Sequence, residues 1–174
     1  MTADATALVA LLAYMGVVVL SIPLALVSFV LGERRRSFVV ALGQAALAVG
    51  ALGLLAALAM LTVLPPVTVA LVVGVGLLEA VVLVGVPLFV SRRLLARWTG
   101  TGADEALAFA TLGLPGALVA SALVFFGPAG ARRYGITSLS GPDAAFAWTA
   151  FVLVVTLGPA VVGLGIRRLL DWVA

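Results

Sequence analysis

The sequence predicts an all-α integral membrane protein, a bundle of five transmembrane helices. Three observations carry this. Of 174 residues, 64% are hydrophobic and only 10% are charged. The mean hydropathy is +1.33. An ordinary globular domain is about one-quarter charged and under half apolar, so this chain has too little polar surface to cover a water-soluble fold. The third observation is the arrangement: the apolar residues fall into five runs, each long enough to cross the roughly 30 Å hydrocarbon core, which takes about 20 helical residues.

The runs are Ala7–Leu31, Phe38–Leu64, Val67–Val90, Ala106–Phe126 and Ala144–Ile166. None has a helical stripe of polar residues, as expected of helices that meet lipid or other helices on all sides. Barrel strands are roughly 10 residues long and alternate in polarity; these runs do neither. The first run follows an N-tail that carries Asp4 and no Arg. A cleaved signal has a basic start and an apolar core of about 7–15 residues, so the first run is read as a retained helix.

Each run has a recognisable end. The first stops at Glu33-Arg34-Arg35-Arg36 and the second at Pro65-Pro66. The third meets Ser91-Arg92-Arg93, the fourth Gly127-Pro128 and the fifth Arg167-Arg168. Arg34, Arg35, Arg36, Arg92, Arg93, Arg97, Arg167 and Arg168 fall on one side, and only Arg132 and Arg133 on the other. The positive-inside rule then places the N-terminus outside and the C-terminus in the cytoplasm, as a multi-pass protein of the cell membrane. Trp98 and Trp172 join the Arg residues as anchors at the inner interface, with Trp148 near the outer one.

The connections are too short to fold independently, so the expectation is a single polytopic domain over residues 1–174. Arg92-Arg93-Leu94-Leu95 with Trp98 echoes Arg167-Arg168-Leu169-Leu170 with Trp172. A duplicated hairpin would produce this echo. So would the common need of an inner helix end for Arg, an apolar stem and Trp, and that is the preferred explanation. The external segment Gly127–Asp143 is rich in Gly and Pro and reads as irregular loop.

Composition also narrows the chemistry. The chain has no Cys and no His, and all ten basic residues are Arg. There is no thiolate nucleophile, no Ser–His pair, no ordinary zinc or haem ligand set and no lysine for a Schiff base. No cofactor and no metal are expected, and no nucleotide-binding or nucleophile-elbow sequence is present. The pI of about 10.6 reflects the Arg anchors, so a nucleic-acid partner is not implied.

Glu79 is the most informative residue. It lies 12 residues from one end of its span and 11 from the other, which places it near the bilayer midplane at about 1.5 Å per residue. A charge there costs at least roughly 2.5–3.5 kcal/mol, so the neutral carboxyl is the expected form. No Arg lies inside a span to offset it. Glu79 is either a proton or cation site or a carboxyl hydrogen-bonded to a neighbouring helix. Gln44, Ser21 and Thr156 are the other polar candidates, and the four together could line one small cavity. Ser and Thr, however, commonly bond their own helix backbone, and Gln44 suits a helix–helix hydrogen bond.

Pro23, Pro87, Pro115 and Pro159 lie inside spans and are expected to kink them. Gly113–Gly116 and Gly158-Pro159 are candidate broken segments. Gly43, Ala46, Gly50 and Gly53 form a small-residue pattern on the second span, suited to close packing. Three function classes follow. The leading expectation is an accessory or structural membrane subunit that packs against a different protein in a larger complex in the lipid bilayer; a homo-oligomer is instead what the second class expects. The alternative is a small oligomeric transporter or proton/cation-conducting protein built around Glu79. An enzyme is disfavoured by the missing residue types.

Overall fold

The computed structural model describes the backbone of residues 3–34, 37–126 and 142–173, and the side chains of residues 9–34, 37–124 and 145–173. The described residues are almost wholly helical. In chain order they form α1 (Ala3–Arg34), α2 (Phe38–Met60), α3 (Pro66–Ala80), a π-helical turn (Val81–Gly85), α4 (Val86–Thr99), α5 (Ala103–Phe126) and α6 (Pro142–Val173). Five helical segments are long and apolar enough to cross a membrane, the third being the continuous stretch Pro66–Thr99 through the π turn. The multi-pass helical class is therefore as expected.

The boundaries depart from the apolar runs in instructive ways. α2 ends at Met60, and Leu61–Leu64 form the turn, with the Leu64 amide donating to Met60 O at 2.8 Å. Pro65 caps α3 and Pro66 opens it, the position where a missing amide hydrogen costs nothing. The helix beyond the third run continues to Thr99 and is closed by Gly100, whose φ of 66° is the one positive value among the described residues. The Gly100 amide donates to Ala96 O at 3.0 Å, an αL cap that glycine adopts without Cβ strain. Asp104 and Glu105 occupy the first turn of α5, where the helix dipole favours acids. α6 runs past Arg167 and Arg168 to Val173.

The helices gather in two compact units, Met1–Val86 and Pro87–Ala174. In the first, α1 is central and packs against both α2 and α3, which touch each other little. Its buried side carries Val9, Ala13, Val17, Ser21, Leu24 and Ser28, spaced by threes and fours as one helical face. α2 turns toward its own core with Ala41, Ala45 and Ala57. Gly53 joins them; a Cβ there would sit 3.4 Å from Leu20. These positions share one four-residue register, broken only by Val49, a largely small-residue ridge that brings helix backbones close. The small-residue pattern expected from sequence is thus only partly used, because Gly43 and Gly50 face open space.

In the second unit α5 and α6 pair most intimately. A Cβ on Gly163 would stand 2.5 Å from Phe109 O, and one on Gly158 would stand 2.7 Å from Ala117 Cβ. A Cβ on Gly113 would collide with Pro159 O and lie 2.7 Å from Gly163 N. Only glycine permits this approach, and it directs Cα hydrogens at the facing carbonyls, a weak but recurrent helix–helix contact. Helices α5 and α6 run unbroken through Pro115 and Pro159. The expected broken segments are therefore packing surfaces, because tight interhelical contact holds the helical path where proline removes a backbone bond.

Candidate functional site

The four polar residues expected to share a cavity meet different fates. Ser21 is buried on α1, and its Oγ donates to Val18 O at 2.6 Å. Its hydroxyl is thereby satisfied within its own helix, which is the ordinary reason a serine is tolerated in a span. Gln44 is exposed on α2, so it does not share a buried cavity with Ser21. Thr156 belongs to the second unit, where its backbone carbonyl accepts the Ser91 hydroxyl at 3.3 Å. That contact ties α4 to α6 through a fully buried Ser91.

Glu79 lies on α3, half-buried, two residues before the π turn begins at Val81. Its Oε2 is buried and has no hydrogen-bond partner among the described residues. Among the described residues this oxygen makes no interhelical hydrogen bond, one of the two roles considered for Glu79. The π turn has its own cause. Pro87 follows it by two residues, lacks an amide hydrogen, and its ring crowds the carbonyl four residues back, inside the turn. A wider turn over Val81–Gly85 relieves that crowding, and the Val86 amide bonds Val81 O across it. Sequence reasoning expected a kink at Pro87; the local winding was not foreseen. Such turns often accompany functional sites, and here one adjoins the unsatisfied carboxyl.

The charged anchors are partly organised. Arg92 Nε donates to Ala103 O at 3.2 Å, fastening the end of α4 to the start of α5. The Arg93 guanidinium lies 4.3 Å from the centre of the Phe89 ring, a cation–π contact. Arg167 reaches Glu105 at 3.8 Å and Asp171 at 3.9 Å. Trp172 is 86% exposed and Trp98 is 52% exposed. Both are large amphipathic rings of the kind enriched at headgroup level. Arg35 and Arg36 lie outside the described residues, as do Arg132 and Arg133 with residues 127–141 of the expected external loop. Among the described residues, no group of three or more acids, histidines or cysteines could hold a metal ion.

The first unit also leaves broad apolar faces uncovered. On α2, Leu47, Leu54, Leu55 and Leu58 are all more than half exposed. On α3, Leu77, Leu78 and Val81 are exposed to a similar degree. No protein family, curated protein or solved structure matches the chain.

Proposed function

We propose that this chain is an assembly subunit of the cell membrane, acting by helix packing against a partner rather than by chemistry of its own. The observation that supports it is Gln44, an exposed amide inside an apolar span. A carboxamide left against hydrocarbon forfeits its hydrogen bonds at a cost of several kcal/mol (roughly 2–7 by reference state). Packing another helix on this face removes that cost. The exposed Ala48 and Ala51, one and two turns further along the same face, let a neighbouring backbone come near. The chain sits with its Arg-rich helix ends in the cytoplasm, so the partner meets α2 within the bilayer.

The test is to excise the chain with its surrounding lipid from its native membrane, using a membrane-solubilising polymer, and weigh the particle's protein. The proposal expects more protein than one 17.6 kDa chain. A single chain at every expression level overturns it.

A second reading, proton or cation conduction at Glu79, is favoured by the unpartnered Oε2 beside the π turn. Intramembrane acids are frequently proton or ion sites. Proteoliposomes carrying a pH-sensitive dye test it: conduction that is lost in Glu79→Gln supports it, and wild-type vesicles no leakier than empty ones exclude it.

A further inference from the structure

We infer that the occupant of the exposed α2 face is a second copy of this chain, related by a two-fold axis along the membrane normal that sets Gln44 against its own counterpart. The inference rests on the assembly reading above and names its partner.

The hydroxyls buried within the spans are bonded to backbone carbonyls: Ser21 to Val18, Ser28 to Leu24, Ser91 to Thr156, Thr111 to Leu107 and Ser121 to Leu118. Gln44 instead projects from the exposed side of α2. Whatever covers it must offer both an acceptor and a donor at that depth, because a carboxamide carries N–H donors and a carbonyl acceptor. Another carboxamide offers both. Copies of one chain insert in one orientation, so a two-fold axis along the membrane normal brings each residue to the same depth as its mate. Gln44 of one copy then donates to the amide oxygen of the other and accepts in return. A partner of unrelated sequence would need a polar group placed at that depth independently.

The rest of the stripe suits self-pairing. Gln44, Ala48, Ala51 and Leu55 are all exposed. They recur at spacings of four, three and four, the seam of two helices crossing at a small angle. Two alanines beside the amide allow the close approach that an interhelical hydrogen bond requires. The stripe bears no charge, so identical faces meet without like-charge repulsion. Ala41 and Ala45, fully buried within the chain, lie three residues from Gln44 and from Ala48 respectively, so the exposed stripe borders the face that packs inside the chain.

The absence of cysteine makes the test clean. Single variants Ala48→Cys, Ala45→Cys and Leu26→Cys are prepared in the full chain, in membrane vesicles, and oxidised with copper phenanthroline. Disulfides form only between Cα atoms within about 7 Å. Ala48→Cys is expected to give a covalent dimer. Ala45→Cys, buried in the same helix, and Leu26→Cys, exposed on α1, are expected to give at most one-fifth as much. Adding Gln44→Leu to Ala48→Cys is expected to lower the yield at least fivefold, while Gln44→Asn retains most of it. Equal linkage at Ala48 and Leu26, or linkage indifferent to Gln44→Leu, overturns the inference. If the excised particle holds more than one chain's mass but Ala48→Cys does not link, only the second-copy inference fails. If the particle holds a single chain, the assembly reading fails with it.

Discussion

Gly163 on α6 lies directly against the backbone carbonyl of Phe109 on α5: a Cβ built on it would stand 2.5 Å from that oxygen. The obstacle is backbone on a second helix, which cannot rotate away as a side chain tip would. Gly163→Ala and Gly113→Ala should therefore each destabilise the chain by about 1–3 kcal/mol, the usual cost of overpacking. Gly165→Ala meets nothing within 4 Å and should be neutral or stabilising by up to ~1 kcal/mol through helix propensity. Reversible unfolding in mixed micelles measures all three.

Gly100 terminates α4 with φ of 66°. An L-residue there meets Cβ strain worth about 1–2 kcal/mol, so Gly100→Ala should destabilise by that amount although nothing lies within 4 Å of its Cβ position. The same unfolding measurement separates this backbone effect from packing, because Gly102→Ala, equally uncrowded and without a positive φ, should cost less.

These two glycine classes show how much of the molecule was legible in the sequence. The spans were readable because hydrocarbon thickness imposes a minimum apolar length. Helix ends were less so: Arg167 pairs with Asp171 one turn on, and such i,i+4 pairs let α6 continue beyond its apolar run. The packing faces were not readable. α2 is apolar all round, so nothing in its pattern distinguishes Ala41 and Ala45, which are buried, from Gly43 and Gly50, which are not. Of the residues expected to line a polar cavity, Ser21 bonds its hydroxyl to its own helix and Gln44 lies exposed, for a related reason. Depth along a helix can be counted from sequence, but azimuth depends on which neighbours pack against it.

Glu79 Oε2 is buried without a hydrogen-bond partner among the described residues. Removing an unsatisfied polar atom stabilises by roughly 1–3 kcal/mol when an apolar group fills the space. Glu79→Leu should therefore be at least as stable as the parent chain in micelles. Marked destabilisation would mean that the carboxyl holds a bond that stabilises the fold.

Arg167 bridges the start of α5 and the last turns of α6, 3.8 Å from Glu105 and 3.9 Å from Asp171. Both acids are more than half exposed, so each pair contributes no more than about 1 kcal/mol. Arg167→Gln removes both pairs and should lower stability by at most about 2 kcal/mol at low salt, with the difference shrinking in 1 M salt as screening shortens to about 3 Å.

The orientation proposed from the Arg distribution is open to single-cysteine labelling in a chain that has none of its own. Thr101→Cys, between α4 and α5, should resist an impermeant maleimide in intact cells and react in inverted vesicles. Thr62→Cys, between α2 and α3, should do the reverse. The opposite pattern would invert the topology.

The central claim is that the exposed face of α2 exists to pack against another helix, and Gln44→Leu addresses it most directly. The variant removes the amide, keeps the helix and leaves the buried ridge of Ala41, Ala45 and Ala57 intact. Weighed in polymer-bounded particles from the native membrane, wild type should appear as a multi-chain species and Gln44→Leu should shift toward the single chain. An unchanged particle mass for Gln44→Leu would contradict the account.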